Sequence, residues 1–231
     1  MDKLALVTGA TSGIGQSLSN QARQAGYKLL GVGRDFKKSN LAASEQLSID
    51  LSDLDALSVS LGENRVRFAD LELLILNAGF GQFGAIEQFS HADIQRVINT
   101  NLTANLIILS SLVPILKSKG RGSIVIVGSE SALQGAKQGS VYCASKFGLR
   151  GLAQSIRAEC ANQGIQVMLV NPGPVRTPFF DNLEFAPRVG NEFALDPDQV
   201  SKQVFAALEV GTGAVVEELN IQPQKRVFDK K

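Results

Sequence analysis

Hydrophobic residues occur along the chain in short continuous runs of four to six, and longer segments with helical spacing separate these runs. The runs are rich in valine, isoleucine and leucine, of which the β-branched pair favours strands. Strands that alternate with helical segments in this way are typical of βαβ units. The seven predicted strands are residues 4–7, 29–32, 46–49, 71–76, 123–127, 166–170 and 214–219.

Within several of these strands the apolar residues are continuous and do not alternate with polar ones. Every residue of 73–76 and of 124–127 is leucine, isoleucine or valine. This continuity predicts strands that are buried on both faces, and therefore a parallel sheet covered by helices on both sides. We predict an α/β fold of three layers, with a doubly wound parallel sheet of about seven strands.

Four helices have clear start or stop signals between the strands. A serine or aspartate can cap the first turn, proline suits the first helical position, and glycine often follows the last turn. The predicted helices run from Ser12 to near Gly26, from the cap Ser90 toward Lys117, from about Tyr142 to Cys160, and onward from Pro197 with Asp196 as cap.

Length and composition favour one domain. The chain has 231 residues, 44% of them hydrophobic, which is enough for a large core. No repeat, linker or low-complexity stretch divides the sequence, so residues 1–231 are expected to form a single domain.

The charge is nearly balanced, with 23 lysines and arginines against 22 aspartates and glutamates. Basic residues cluster only at Lys37-Lys38 and in the tail 225–231, so we expect no nucleic-acid partner. His91 is the only histidine, and no cysteine pair has the spacing of metal ligands, so no metal site is expected.

The two cysteines, Cys143 and Cys160, fall in one predicted helix. Seventeen residues of helix span roughly 25 Å, too far for a disulfide. No signal peptide precedes the first strand, and no apolar run approaches the length of a membrane span. We therefore expect a cytoplasmic protein with reduced thiols and no membrane partner.

Polar residues or glycines stand at the end of six predicted strands. Because the carboxyl ends of parallel strands meet at one edge of an open sheet, these positions are expected to border one crevice, where ligands bind in such folds. The positions are Gly9, Arg34, Asp50, Asn77-Ala78-Gly79, Ser129 and Pro172-Gly173.

The first of these ends carries a glycine-rich segment, Gly9-Ala10-Thr11-Ser12-Gly13-Ile14-Gly15. Its glycines allow a tight strand-to-helix turn and close approach of a pyrophosphate to the backbone, with the helix N-terminus facing the phosphates. By itself the segment is equally compatible with an ordinary turn. The flanking strand and helix favour a nucleotide site.

Tyr142 and Lys146 are four positions apart, so they share one face of their helix. An ammonium beside a phenol favours the phenolate, and we therefore expect Lys146 to lower the pKa of Tyr142. A tyrosine with a lowered pKa can exchange protons near neutral pH.

Taken together, the TGxxxGxG pattern at 8–15, Ser129, and the YxxxK pattern of Tyr142 and Lys146 resemble the classical short-chain dehydrogenase/reductase family. The resemblance covers the chain from about Leu4 to its end. It implies a Rossmann-type fold and an oxidoreductase that interconverts a carbonyl and an alcohol by hydride transfer with NAD(P).

The resemblance also implies four catalytic residues. Tyr142 would be the general acid and base, and Ser129 would hold the substrate oxygen. Lys146 would bind the nicotinamide ribose, and Asn101 would hold a water that relays protons from Lys146 to solvent. Taken alone, Asn101 is better explained as a helix residue whose amide bonds locally.

The end of the second strand bears on the choice of cofactor. By resemblance, Gly33 stands where an acid would select NAD, and Arg34 stands where a basic residue would accept the 2′-phosphate of NADP. NADP(H) is the predicted cofactor, with NAD(H) as the alternative. Asp35 supports that alternative because it lies twenty positions after Gly15, the usual spacing of a ribose-binding acid. A surface Arg-Asp pair in a turn remains a third interpretation.

By the same resemblance, Asp50 would contact the adenine amine, although it is also placed to cap a helix that begins near Ser52. Asn77-Ala78-Gly79 would stabilise the central sheet and run alongside the ribose of the cofactor. In a PGxVxT-like segment, Thr177 and the Val175 backbone would hold the nicotinamide carboxamide. The predicted cofactor positions of this segment are Pro172, Gly173, Val175 and Thr177.

Two segments depart from the family pattern. Gly128 replaces the first serine of an SSxxG run, and the C-terminal region lacks the common DGG. The family favours a homodimer or homotetramer through the helices at 90–117 and 141–161. The phenylalanines at 179, 180, 185 and 193 are expected either to line a substrate pocket or to serve as core or subunit contacts.

Two other functions remain compatible with these residues. One is a sensor or scaffold protein that binds NADP(H) without turnover. The other is an enzyme of the same fold that catalyses epimerisation or dehydration with a tightly held cofactor. The full set of Ser129, Tyr142, Lys146 and Asn101 favours an oxidoreductase with a small-molecule carbonyl or alcohol as substrate.

Overall fold

A computed structural model describes residues 3–37, 39–210 and 213–231. Lys38, half of the predicted basic cluster at 37–38, lies outside these residues. Seven parallel strands form one sheet in the order β3-β2-β1-β4-β5-β6-β8. These strands are β1 (Leu4–Thr8), β2 (Lys28–Gly33), β3 (Gln46–Ser48), β4 (Leu71–Leu76), β5 (Gly122–Val127), β6 (Ile165–Pro172) and β8 (Glu218–Ile221).

Helices cover both faces of the sheet, as predicted, so the three-layer Rossmann-type fold is confirmed. Side chains of α2, α4 and α5 pack into one core cluster, and those of α1 and α6 pack into a second on the opposite face. The helices are α1 (Gly13–Gln24), α2 (Leu54–Glu63), α3 (His91–Ile98), α4 (Ala104–Lys119), α5 (Ser140–Cys160) and α6 (Pro197–Leu208).

The continuous apolar runs are buried on both faces because successive side chains of a strand point to opposite sides. In β1, Leu4 and Leu6 join the first core cluster, whereas Ala5 and Val7 join the second. All five residues of this strand are buried. The absence of alternation thus identifies central strands of a covered sheet.

The cap of α2 differs from one of the sequence expectations. Asp53 is the N-cap, and its carboxylate accepts the Ala56 N–H at 3.0 Å. Asp50 instead accepts the N–H and O–H of Ser52, at 2.9 and 2.8 Å, in the turn before the helix. The expectation that Asp50 caps the helix is therefore wrong.

The predicted helix after Ser90 is one continuous helix, His91–Lys119, in which a π-helical turn (Asn99–Thr103) separates α3 from α4. By length and composition this helix could span a membrane, since an 18-residue window of it has a mean hydropathy of 1.3, so the expectation of no such apolar run is wrong by this measure. Its inner side chains, among them Ile108 and Leu112, pack in the core against the sheet. A core helix passes the same test of length and composition.

Two features of the C-terminal region also differ from expectation. The last strand of the sheet is Glu218–Ile221, not 214–219, and it pairs with β6. In addition, β7 (Phe185–Pro187) pairs antiparallel with β9 (Phe228–Lys230) in a separate two-stranded sheet. These strands have three residues each, so local sequence carries too little pattern to reveal them.

The departure at Gly128 has a steric reason. A Cβ at this position would lie 2.3 Å from the Oδ1 of Asn171 in β6. The Asn171 amide donates at 2.9 Å to both Glu218 and Asn220 of β8. Glycine at 128 therefore leaves room for the side chain that ties the edge strand to the sheet.

Candidate active site

A buried hydroxyl joins the ends of the two central strands. Thr8 Oγ1, at the end of β1, accepts the backbone N–H groups of Asn77 and Ala78 at 2.9 and 3.0 Å. The Asn77 side chain in turn donates to the carbonyls of Thr8 and Gly9, at 3.1 and 3.3 Å. The start of the glycine-rich segment is thereby fixed to the end of β4.

Three glycines of this segment occupy positions that a larger residue would not fit. Gly9 and Gly13 have φ of +67° and +54°, in the left-handed region that glycine adopts most readily. A Cβ at Gly15 would lie 2.1 Å from the Gly9 carbonyl oxygen. The glycines therefore allow α1 to begin directly against the end of β1, with its N-terminus at the crevice.

The other predicted residues of this segment lie around the same turn. Ser12 is the N-cap residue of α1, yet within the described chain its side chain makes no cap hydrogen bond. Ile14 packs against the core on the α1 side. A Cβ at Gly33 would lie 3.0 Å from the Thr11 methyl group, so the turn touches the end of β2.

The segment after β6 contacts the glycine-rich turn from the opposite side. A Cβ at Gly13 would lie 2.8 Å from the methyl group of Thr177. Val175 forms an isolated bridge with Leu195, which anchors this segment. Next to this contact, an open groove of about 400 Å³ lies between α1 and the start of α6, with Gly13 and Arg176 among its lining residues. Residues 9–15 and 172–177 thus form two walls of one crevice.

Arg34 and Asp35 follow β2 and are both exposed. The Asp35 carboxylate accepts the backbone N–H of Lys37 at 2.9 Å, so it closes a local turn. Asp50 lies nearby at the end of β3. Hydrogen bonds from Ser52, and then the charges of Arg34 and Arg96, hold the pKa of Asp50 below its usual value.

The hydroxyl groups of Ser129 and Tyr142 face each other, close enough for Ser129 to lower the pKa of the phenol. Ser129 follows β5 and caps a short 3-10 turn, where its oxygen also accepts the Ser131 N–H at 3.1 Å. Tyr142 lies in the first turn of α5 and is only 7% exposed. The two hydroxyls predicted to act on a substrate oxygen are therefore adjacent.

Lys146 is one helical turn further along α5 and is 4% exposed. Its Nζ donates to the Val127 carbonyl at 3.1 Å and lies 5.8 Å from the centre of the Tyr142 ring. Burial lowers the pKa of Lys146 to about 8. The predicted shared face of Tyr142 and Lys146 is present.

The expected lowering of the Tyr142 pKa by Lys146 is not present. Burial raises the pKa of Tyr142 to about 12, against the lowering effect of the Ser129 hydrogen bond. Loss of water around the phenol disfavours the phenolate more than the neighbouring groups stabilise it. Tyr142 is therefore protonated at neutral pH in this arrangement.

Asn101 is fully buried in the π-helical turn, and its amide bonds to distant groups. Its Oδ1 accepts the Phe80 N–H and its Nδ2 donates to the Phe80 carbonyl, both at 3.0 Å. The same Nδ2 lies 3.1 Å from the Ser145 hydroxyl. The alternative of a purely local helix bond is therefore wrong, and Asn101 connects the segment after β4 with α5.

Five phenylalanine rings lie over Tyr142 in a contiguous group, which we call the aromatic cluster. The rings of Phe83 and Phe179 are centred 5.2 and 5.9 Å from the Tyr142 ring. The cluster consists of Phe83, Phe179, Phe180, Phe185 and Phe228, which are linked by ring contacts of 5.1 to 6.2 Å. Phe193, predicted with this group, instead has the cations of Arg188 and Lys225 each 5.7 Å from its ring centre.

The C-terminal residues border the same site. A Cβ at Gly173 would lie 2.3 Å from the Gln222 Oε1, so the chain passes directly over the end of β6. Further on, Arg226 pairs with Glu130 at 2.6 Å, beside Ser129. Burial raises the pKa of Glu130, against the lowering effects of Arg226 and Gln222.

Sequence patterns did not single out several of these residues. Thr8 belongs to the glycine motif, and its position as the last residue of a buried strand could have marked it. Phe83 and Phe228 carry no local signal, because they reach Tyr142 only through the folding of distant segments. The same holds for the pair of Glu130 and Arg226, which are 96 positions apart.

Comparison with known proteins agrees with the fold and the motifs. The profile of the short chain dehydrogenase family matches residues 3–186. The chain therefore belongs to the short-chain dehydrogenase family of oxidoreductases.

Several relatives and solved structures are similar over most of the chain. Bovine retinol dehydrogenase 8 is 34% identical over 85% of this chain and 66% of its own. An uncharacterized oxidoreductase of Staphylococcus saprophyticus is 25% identical over 96% of this chain and 97% of its own. An alcohol dehydrogenase of Thermococcus sibiricus, solved with 5-hydroxy-NADP, has a TM-score of 0.86 at 25% identity, over 98% of this chain and 99% of that one.

The buried ammonium of Lys146 leads to a prediction about stability. Its pKa of about 8 in the folded protein, against the ordinary 10.5, corresponds to a destabilisation of about 3 kcal/mol by the charged form. This destabilisation is complete below pH 8 and disappears as pH rises toward 10.5. We expect the free energy of unfolding of the wild type, relative to Lys146→Met, to rise by about 1–3 kcal/mol between pH 7 and 9.5.

Urea unfolding at the two pH values measures this difference. The exposed Lys137 provides the control, and Lys137→Met should follow the wild type at both pH values. An equal difference between wild type and Lys146→Met at pH 7 and 9.5 would contradict a lowered pKa.

Proposed function

We propose that this protein is an NADP(H)-dependent oxidoreductase that interconverts a carbonyl and an alcohol, with Tyr142 as general acid and base. The adjacent hydroxyls of Tyr142 and Ser129, with the buried Lys146 one helical turn away, carry this proposal. They lie at the sheet edge that also carries the glycine-rich turn. A proton exchanger beside a dinucleotide site is what hydride transfer to a carbonyl requires.

The crevice fits a dinucleotide. Glycines stand where φ is positive, at Gly9 and Gly13, and where the Gly9 carbonyl approaches closely, at Gly15. The backbone at the start of α1 is therefore not covered by side chains at these positions. The helix dipole there favours the pyrophosphate. Thr11, Ser12 and Ile14 would complete this binding turn. Further along the crevice, the contributing residues would be Arg34, Asp50, Asn77, Ala78, Gly79, Tyr142, Lys146, Pro172, Gly173, Val175 and Thr177.

When bound, the nicotinamide ring supplies or accepts the hydride. In the reductive direction, Tyr142 donates its proton to the substrate oxygen, since the phenol is protonated at neutral pH. The Ser129 hydroxyl holds the same oxygen and fixes its position. The ammonium of Lys146 stabilises the phenolate that forms, and its lowered pKa allows it to pass on a proton.

Asn101 would position the groups that return the proton. Its amide holds the Phe80 backbone beside Gly79, where a Cβ would lie 3.1 Å from the Asn101 Oδ1 and 3.6 Å from the Lys146 Nζ. The π-helical turn presents Asn101 to this spot, and such turns are frequent at functional sites. We propose that Asn101 holds the end of a proton path from Lys146.

The preference for NADP(H) over NAD(H) is supported by the end of β2. Arg34 is exposed there, whereas the Asp35 carboxylate is engaged in a turn with Lys37. Gly33 contributes no acid, and a side chain there would press on Thr11. The similar Thermococcus enzyme was solved with an NADP derivative, which agrees with this preference.

A binding protein without turnover would need the crevice but not the arrangement of Ser129, Tyr142 and Lys146. Lys146 would also contribute to cofactor binding alone, whereas a chain that only binds has no physical use for the Ser129 hydroxyl beside the Tyr142 phenol. We therefore favour an enzyme over a sensor. The two buried free cysteines suit the reducing cytoplasm that we propose as its location.

We also propose that the protein forms a homodimer or homotetramer through α4 and α5. Leu106 and Phe147 are 46% and 44% exposed on these helices. At Gly148, α5 closely approaches the π-helical turn before α4, where a Cβ would lie 2.6 Å from a Leu102 methyl group. Exposed apolar side chains on adjacent helices suit contact with a second copy of this chain.

The first prediction concerns the proton exchanger. Tyr142→Phe should lower kcat at least about a hundredfold, because general acid catalysis contributes about 10²–10⁴-fold. NADPH should still bind, with a dissociation constant within about threefold of the wild type, since the ring is kept. NADPH oxidation against a carbonyl panel and NADPH fluorescence titration measure the two effects.

Tyr27→Phe is the matched control, because Tyr27 lies under Lys3 on the far side of β1 from the site. It should leave both constants unchanged. Full turnover by Tyr142→Phe would refute the assignment of Tyr142. Absence of turnover by the wild type across the panel, together with tight NADPH binding, would support the sensor.

The second prediction concerns cofactor choice. Arg34→Ala should lower kcat/KM for NADPH by about 10–100-fold, the usual value of a hydrogen bond to a charged group, and leave that for NADH within about threefold. Asp35→Asn keeps an oxygen to accept the Lys37 N–H but removes the charge. This variant should leave kcat/KM unchanged for both NADPH and NADH. Weaker use of NADH by Asp35→Asn would identify Asp35 as the ribose acid instead.

The third prediction concerns assembly. Gel filtration with light scattering should show a dimer or tetramer for the wild type, and Phe147→Glu should shift it toward monomer by placing a charge in an apolar contact. Val66→Glu, at a valine after α2 that is 87% exposed, should not. A monomeric wild type would exclude the proposed interface.

A further inference from the structure

The aromatic cluster is assembled from four separate parts of the chain. Phe83 comes from the segment after β4, Phe179 and Phe180 from a 3-10 turn after β6, Phe185 from β7, and Phe228 from β9. Only the fold brings these rings together over Tyr142. Such convergence indicates a wall built around the reacting group.

The outer part of this wall is held by pairing and charge. The β7–β9 pairing places Phe185 and Phe228 with ring centres 5.6 Å apart. Arg188 and Asp229 form an ion pair of 2.8 Å across the same small sheet, and the Lys231 N–H donates to Glu184 at 3.0 Å. The C-terminal strand is thereby fixed beside the turn that carries Phe180.

Two rings of the cluster lie against the ring that carries the reacting hydroxyl. Tyr142 is 7% exposed, and Phe83 and Phe179 contact its ring directly. A substrate must therefore part these rings to reach Tyr142, which loses favourable ring contacts. A substrate with a planar apolar substituent replaces those ring contacts with contacts of its own, whereas a substrate with a small polar substituent does not.

The charges around this wall do not favour an anion. The carboxylate of Glu130 acts on Tyr142 and raises its pKa, and it is paired with Arg226 at 2.6 Å. The two charges thus offset each other. A carboxylate on the substrate would meet uncharged rings and an ion pair that offers it little attraction.

We propose that the substrate is an uncharged carbonyl compound, or the corresponding alcohol, whose substituent is aromatic or otherwise planar and apolar. The aromatic cluster binds this substituent, with Phe83 as the ring nearest Tyr142 and with Phe185 and Phe228 as the outer wall. This inference rests on the proposed function and adds a substrate class to it.

The test compares three aldehydes with NADPH: benzaldehyde, propanal and the anion glyoxylate. The wild type should show a kcat/KM for benzaldehyde at least about tenfold above that for propanal, with glyoxylate slowest. Phe83→Ala and Phe185→Leu should each remove most of this preference. Phe193→Ala is the control, because Phe193 lies in the segment that follows β7 but contacts Arg188 and Lys225.

Propanal or glyoxylate used as well as benzaldehyde would overturn the substrate class while leaving the oxidoreductase in place. Equal effects of Phe83→Ala and Phe193→Ala would also overturn it. Circular dichroism of each variant identifies any loss of folding, and Phe185→Leu keeps the test open if Phe83→Ala does not fold.

A binding measurement separates this inference from the proposed reaction. Calorimetry of the wild type saturated with NADP⁺ should show that acetophenone binds and acetone does not. Binding of acetophenone without turnover of any aldehyde would support the aromatic site and refute the proposed reaction. If acetophenone does not bind and benzaldehyde is not preferred, the inference is overturned.

Discussion

A single buried hydroxyl, that of Thr8, fixes the geometry on which the site depends. It holds the backbone of Asn77 and Ala78 against the end of β1. Asn77 in turn holds the Gly9 carbonyl, which lies so close to Gly15 that no side chain fits there. The position of the glycine-rich turn thus follows from the contact between two central strands.

The same strand ends connect to the catalytic helix. Two residues beyond Ala78, the Phe80 backbone is held by the Asn101 amide, which also contacts the Ser145 hydroxyl. Ser145 donates to the Tyr142 carbonyl at 2.7 Å. Hydrogen bonds and the short backbone segment 77–80 therefore connect the glycine-rich turn with α5, so both sides of the crevice are positioned by one framework.

Burial has opposite effects on the two ionisable groups of this helix. It raises the pKa of Tyr142 to about 12 and lowers that of Lys146 to about 8. Loss of water disfavours whichever form is charged, so the phenol keeps its proton while the ammonium releases its proton more easily. A protonated acid beside a readily deprotonated amine suits proton transfer to a substrate oxygen.

The sequence by itself determined the sheet, the glycine turn and the spacing of Tyr142 and Lys146, because these depend on local periodicity and on residue types with few conformational alternatives. Only the tertiary structure decided the pKa direction of Tyr142 and the cover of Phe83 and Phe228 above it. Burial and ring contacts arise between segments that are far apart in the chain. Local pattern contains no record of such contacts, since they depend on how loops and short strands pack after the sheet has formed.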